Sequence, residues 1–462
     1  MTRPISLLLA TAAALLVAFP AGAQTRVASA AQPATETATG DTIPSAARTS
    51  RESLLRKIEI QNTRPMDQRG INMFETPKND GVPFTGIKLD FGAAFTQQMQ
   101  GLRHSNAAAP NVVNGVNQNQ LYTLGTGFNN ATANLYVNGQ LAPGIRVALS
   151  AYLSSRHHPE TWVKDGYLQI DESPFDVQLF DDIMKYVTLR LGHFEVNYGD
   201  AHFRRTDNGN AMYNPFVGNL IMDAFTTEIG GELFVRRGAL LGMVGLTGGE
   251  IRGNVTRPDD RKPSLIGKLG MDRQFTEDLR VRLTGSGYYT KSSLSNTLYS
   301  GDRAGSRYYY VIENTTATDA AQFRSGMINP AFGDKLTTLM INPFVKFRGL
   351  EVFGTIEQAE GRGATETADR KMMQYAGDVV YRFLTNEQMF VGGRYNTLEG
   401  RLPGYAADVS VDRWALGAGW FLTPNILMKG EYVKQKYNDF LPTDIRHGGK
   451  FNGFMIEGVV AF

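Results

Sequence analysis

The last twelve residues, Phe451 to Phe462, read FNGFMIEGVVAF. Taken by parity, Phe454, Ile456, Gly458, Val460 and Phe462 fall on one side of an extended strand, and Gly453, Met455, Glu457, Val459 and Ala461 on the other. One side is greasy and the other small or polar. That is the period of a strand whose two faces meet different surroundings. Lipid on one side and a wet lumen on the other would produce it. So would the edge of a soluble sandwich, and the rest of the chain has to decide.

Working outward, the alternation holds back to Gly86. Ile87, Leu89, Phe91, Ala93 and Phe95 alternate with Lys88, Asp90, Gly92 and Ala94. Strands are predicted at Ala133–Val137, Ile145–Leu153, Trp162–Ile170, Tyr186–Phe194, Phe225–Arg236, Leu240–Leu246, Leu265–Arg273 and Leu279–Tyr289. Later pairs meet at Arg348-Gly349, Thr385–Glu387 and Thr423–Asn425. The count is about sixteen, the even number expected of a single-chain bacterial barrel. Turns near 142, 237, 276, 349, 386 and 424 are tight, whereas 101–126, 197–224, 247–264, 290–335, 396–410 and 435–450 are long. This alternation of short turns with long loops is the asymmetry of a transmembrane antiparallel β-barrel with long extracellular loops, and a sandwich has no reason to show it. The fold expected is therefore all-β, with the 290–335 loop outside.

Tyr289, Tyr381, Phe383, Trp420, Phe421 and Phe462 fall near predicted strand ends, where aromatic girdles meet headgroups. Pro343 lies inside the strand Leu339–Phe347 and removes a ladder donor, so a bulge is expected there. The parity opposite the apolar one carries Arg190, Lys268, Arg280, Arg282, Arg382, Arg394 and Lys429, and also Glu228, Glu232, Glu357 and Asp378. A charge facing lipid at mid-depth costs roughly 2–4 kcal/mol, so these residues are expected to line a polar, open lumen. The third long connection holds Arg204 and Arg205. If it folds inward they could contact a passing anion; a brace between arginine and Asp207 is the competing reading.

Composition agrees. The chain has 462 residues, 49 of them Gly, and no Cys. Glycine exceeds its usual share of roughly 7% without a collagen period, as suits curved sheets. A formal net charge of +2 gives no global field for nucleic acid, so no nucleic-acid partner is expected. Met1 to Ala23 has a basic start at Arg3, an apolar core and a small-residue site at Ala21-Gly22-Ala23, and is predicted to be a signal peptide. No later apolar run is long enough to cross a bilayer as a helix. Residues 24–85 are polar, with a short helix predicted at Ser50–Ile60. They are read as a periplasmic segment or a lumen plug, the former being expected, and the barrel is assigned to 86–462.

The final Phe462 on an alternating strand resembles the carboxy-terminal assembly signal of outer-membrane barrels. The run Tyr186 to Asp200, YVTLRLGHFEVNYGD, resembles a segment of the phosphate-selective porins of the O and P type. The resemblance implies an outer-membrane porin passing small hydrophilic solutes or anions. It implies no catalysis and no cofactor, cofactor-binding or metal site. That family's arginine ladder and lysine cluster find no position here that carries over, because inward Arg and Lys are nearly matched by Asp and Glu. Expected partners are outer-membrane lipid, the barrel-assembly machinery and the solutes, with a homotrimer as the assembly. Two other classes stay open. A barrel hydrolase would need a base, yet His104, His157, His158, His193, His202 and His447 show no catalytic spacing. The other class is a surface or adhesion barrel closed by charge pairing.

Overall fold

Alternating apolar residues commit each stretch to a strand, and a sheet with no water on one face has to close on itself to satisfy its edges. The computed structural model describes residues 59–128, 132–154, 161–206, 208–249, 262–293, 296–301, 307–318 and 324–462. The expected signal peptide, the lead to residue 58, Asp207, and His157-His158 with Glu160 lie outside the described residues. Among those described, seventeen strands share one sheet, and one of them is only the two-residue Gly127–Phe128, which leaves sixteen barrel strands. They are β1 (Lys88–Ser105), β2 (Thr132–Ala142), β3 (Ile145–Ser154), β4 (Thr161–Ile170), β5 (Val187–Glu195), β6 (Thr227–Arg237), β7 (Leu240–Thr247) and β8 (Ser264–Gln274). Then follow β9 (Leu279–Thr290), β10 (Lys335–Phe347), β11 (Leu350–Arg362), β12 (Arg370–Phe383), β13 (Met389–Gly400), β14 (Val409–Thr423), β15 (Ile426–Asn438) and β16 (Lys450–Ala461).

All neighbours are antiparallel, and β16 returns to β1, from Ala94 opposite Ala461 to Ser105 opposite Lys450. The quoted terminal strand is thus the seam. Phe462 finishes it by exchanging two backbone hydrogen bonds with Ala93, each 3.0 Å. Phe454, Ile456 and Phe462 are exposed on the outer face, and Met455, Glu457, Val459 and Ala461 are buried on the inner one. The same outward row recurs on the other strands, for example Leu269, Leu339, Val379 and Leu416. A continuous apolar exterior on a closed ladder makes this a transmembrane barrel.

Three local expectations are corrected. Pro343 carries no bulge, since the register is unbroken from Ile341 opposite Ile356 to Phe344 opposite Phe353. Gly354 makes room for the proline ring, because a Cβ there would lie 2.8 Å from Pro343 Cγ, and Asn342 Nδ2 donates to the Gly354 carbonyl at 3.0 Å. Bulges occur instead at Gln140/Ala142, Ser150/Ala151 and Phe421/Thr423. Phe421 is not a girdle residue, because it shares the inward parity of Val411, Arg413 and Ala415 on β14 and is buried on the inner face. Finally, the alternation of loop lengths is not strict. Residues 171–186, at the short-turn end, hold a helix, α1 (Gln178–Met184), while only 363–369 join β11 to β12 at the other end.

Candidate functional site in the barrel interior

The interior is polar on the strands but is not an open lumen. Three segments enter it: the chain from residue 59, the third long connection (196–226) and the fifth (291–334). The 290–335 loop, expected outside, turns inward because its aromatic and arginine side chains meet acceptors on the wall. Tyr299 Oη donates to Glu357 at 2.7 Å, Tyr308 Oη to Glu431 at 2.7 Å, and Arg307 pairs with Glu457 at 2.7 Å. Likewise, the chain after residue 59 lies against inward-facing strand residues and not apart from the barrel. Gln68 N donates to the Pro424 carbonyl at 2.9 Å, Arg280 donates to the Asn72 carbonyl at 3.0 Å, and Glu75 pairs with Arg282 at 2.8 Å. Phe74 packs between Phe344 and Phe353.

The third connection folds inward. Asp200 is its anchor, bound to Lys268 at 3.1 Å, Arg282 at 2.7 Å and the Thr284 hydroxyl at 2.7 Å. Further along, the Val217, Ile221 and Met222 amides donate to Glu431, Asn396 and Gln374. Lys429 Nζ donates to the carbonyls of Ala211, Asn214 and Phe216. The charged wall residues therefore act as docking points for loop backbone, satisfying polar groups that would otherwise be buried unpaired.

Each residue singled out from the sequence has a definite place. Arg382 pairs with Glu351 at 2.7 Å, Arg394 with Asp378 at 2.6 Å, Arg280 with Asp272 at 2.7 Å and Lys429 with Glu457 at 2.9 Å. Glu228 accepts from Tyr288 Oη at 2.6 Å, and Glu232 accepts from the Asn197 amide at 3.0 Å. Arg205 is held by Asp223 at 2.8 Å, while Arg204 donates to Asn72 at 3.0 Å and faces Glu351 at 3.8 Å. Both are buried, and the cavity beside them and Arg394 is about 20 Å³, room for one water. The structure brings Lys268, Arg282 and Glu232 to the third connection. Arg204, Arg382, Asp378 and Arg394 form a second group.

Water reaches a different strip of wall. On β1 to β5, the inward residues Asp90, Tyr136, Asn138, Lys164, Tyr167 and Arg190 keep partial exposure. Side-chain exposure is 10% at Lys164, 17% at Glu195, 11% at His202 and 14% at Arg190, whereas Lys268, Asp200, Lys429 and Glu457 are at 0%; Arg280, Asp272 and Lys346, near the short-turn end, reach 26%. Glu195 sits between Lys164 at 3.6 Å and His202 at 3.3 Å. Arg146 and Arg190 both donate to Gln169 Oε1 and both lie over the Tyr167 ring. Arg64 stacks on Tyr213 at 3.7 Å. Burial lowers the His202 imidazole below its ordinary value, against the Glu195 hydrogen bond that raises it. Burial also lowers Arg64, to about 10, which leaves it cationic at neutral pH.

Sequence reasoning missed most of this strip. Arg146 sits at an inward position by simple parity with Ile145 and Val147 and could have been found. Arg64 could not, since nothing local says that its segment enters the barrel.

No protein-family model matches the chain, and no curated protein matches it. Among solved structures it is similar to an anion-selective porin from Comamonas acidovorans (11% identity, 81% of this chain and 100% of that chain, TM-score 0.48). It is also similar to the outer-membrane channel DcaP of Acinetobacter baumannii (11% identity, 83% and 99% covered, TM-score 0.46). A third is the outer-membrane protein OmpT of Vibrio cholerae (11% identity, 82% and 99% covered, TM-score 0.47). At this identity the likeness is one of fold.

Proposed function

We propose that this chain is an outer-membrane porin giving passive diffusion to small hydrophilic solutes through the half-wet strip along β1 to β5. One observation supports this reading: Lys164, Arg190, Glu195 and His202 gather on one stretch of that wall and keep side-chain exposures of 10–17%, while Asp200, Lys268, Lys429 and Glu457 are sealed against the inserted segments. A transmembrane barrel with long loops at one end and short turns at the other belongs in an outer membrane, long loops outward. The strip holds Lys164 and Arg190 as cations, with Arg64 and the buried Arg146 close by, against Asp90 and Glu195, with His202 lowered toward its neutral form. Selectivity follows the side chains at the narrowest part, so a mild preference for anions is the expected outcome. A preference for phosphate rests only on the resemblance at Tyr186–Asp200. In that segment Asp200 cancels charge on Lys268 and Arg282 instead of leaving it for a solute.

The test is planar-bilayer conductance of the full chain with its reversal potential in a salt gradient. Lys164→Glu is expected to move that potential toward cations, with screening weakening the effect as the Debye length shrinks from about 10 Å at 0.1 M to 3 Å at 1 M. An unmoved potential would place the passage elsewhere. The filled interior favours a second reading, a closed barrel acting at the cell surface, and absence of any conductance would leave that one standing.

A further inference from the structure

The outer face at the long-loop end carries a feature that conduction does not use. On three adjacent strands, Arg103 (β1), Lys434 and Lys436 (β15) and Lys450 (β16) point outward and are exposed. Register places Lys436 directly opposite Lys450, and Asn452 between Lys434 and Arg103. Adjacent strands lie about 4.8 Å apart and same-face neighbours along a strand roughly 7 Å, so the four cations fit a patch roughly 10 Å across. Among the described residues none of the four has a side-chain hydrogen bond or ion pair. The acid nearest in register, Asp412 opposite Lys436, is engaged by Tyr395 Oη at 2.8 Å and Asn438 Nδ2 at 3.0 Å.

Like charges directly opposite one another on a sheet are destabilising. Elsewhere in the same belt the chain avoids this, for Lys371 on β12 stands opposite Glu360 on β11. The carboxylate of Asp412, on the other side of Lys436, offsets that one cation, so the positive charge the protein leaves uncompensated is that of Lys450, Lys434 and Arg103. Trp414 flanks the patch opposite Lys434, and immediately below it, toward mid-membrane, lie Tyr432 and Phe454, all exposed, with Phe454 laid over Gly101, where a Cβ would lie 2.6 Å from the ring. Aromatics of this kind sit at the headgroup level of a bilayer.

We propose that this patch is a docking site for the phosphate groups of an anionic glycolipid in the leaflet on the long-loop side, with its acyl chains lying on the aromatic row. Phosphate supplies the missing counter-charge, and the row beneath matches a headgroup joined to hydrocarbon. A second copy of the chain would need a matching exposed acidic patch. In the belt described here Asp369 and Asp408 are already paired with Lys335 and Arg401, and the exposed Glu360 and Glu399 stand singly on β11 and β13, two strands apart, which makes no such patch. The proposal rests on the membrane placement of the barrel and not on whether it conducts.

The test is retention of diphosphoryl lipid A by the purified full chain, read by native mass spectrometry beside monophosphoryl lipid A. Replacing Arg103, Lys434, Lys436 and Lys450 by Gln is expected to weaken retention roughly fivefold per cation removed, since each basic residue near an anionic surface contributes about that factor. The monophosphoryl form should bind less, high salt should weaken retention, and Lys371→Gln should change nothing. The double variant K436Q/K450Q relieves a like-charge contact and should fold at least as well as the parent, so it remains informative if the quadruple variant is unstable. Unchanged retention in the double variant overturns the proposal. A change in copies per particle with lipid retention unaltered also overturns it, and identifies the patch as a contact between copies. Conductance should be the same in all variants, which separates this result from the fate of the porin reading.

Discussion

Asp200→Ala should unlatch the third long connection without unfolding the barrel. The carboxylate is fully buried and accepts from Lys268, Arg282 and Thr284 at 2.7–3.1 Å. Without it, Lys268 keeps Glu75 at 3.5 Å, and Arg282 keeps Glu75 at 2.8 Å and Asp272 at 3.1 Å, so two buried cations are left under-compensated. Removing one partner of a buried pair costs about 3–5 kcal/mol. The cost falls on the docked arrangement alone, because in the undocked one water reaches both cations. The equilibrium between the two should therefore move by roughly a hundredfold or more toward the loosened loop. The strand ladder is untouched, so heat-modifiable mobility of the barrel should persist. Single-channel recordings should show larger conductance or frequent transitions to it, and limited proteolysis should cut within 196–226. Acid cannot substitute for the mutation. Burial alone would raise the Asp200 carboxyl, but Lys268 and Arg282 outweigh it and hold it below the ordinary carboxylate range. A group depressed in this way loses its contribution only as pH falls through its folded value. A folded Asp200→Ala barrel with parental conductance and parental protease resistance would refute the latch.

Deleting Phe462 removes both backbone bonds to Ala93 at the seam, and the folded, heat-modifiable fraction in the outer membrane should fall; normal yield would show that this end is not the signal. Gly92→Ala should impair the same seam, since a Cβ there would lie 2.6 Å from the Phe462 carbonyl oxygen, and refolding yield reads it. Glu313, in the fifth connection, has its carboxyl raised to about 7 by burial, against Ser325, Arg324 and Arg446, which lower it. A carboxyl raised on folding contributes stability that is full below its unfolded value near 4.5 and is lost as pH rises through about 7. Hydrogen exchange over 307–318 should thus quicken between pH 5 and 8, and Glu313→Gln should flatten that dependence.

The barrel was legible because its signal is redundant. Sixteen stretches repeat one period, and parity assigns Arg394, Asp378, Lys429 and Glu457 to the inner face without any knowledge of neighbours. Pro343 was misread because it depends on one local contact, with Gly354, whereas Phe421 was readable, since it shares the inward parity of Arg413 and Ala415. The filling of the lumen was not legible. Tyr299, Tyr308 and Arg307 look like ordinary loop residues until Glu357, Glu431 and Glu457 are known to wait opposite them. Those partners lie 58, 123 and 150 positions away.

That distance also explains why counting inward charges misjudges the pore. A cation and an anion 2.6 Å apart, as in Arg394–Asp378, present a dipole, and a dipole's field fades faster with distance than that of either charge. Arg204 and Arg205 add even less, being buried against Asn72, Glu351 and Asp223 beside a void of only about 20 Å³. On the proposed passage, the field felt by a solute is then set by the groups that water reaches there: Lys164, Glu195, His202 and Arg190. Neutralising a sealed acid such as Asp378 uncovers its partner but leaves it facing packed loop, so ion preference should respond less to Asp378→Asn than to Lys164→Gln. Reversal potentials of the two variants in one salt gradient decide the matter, and a larger shift from Asp378→Asn would mean that solutes pass on the sealed side.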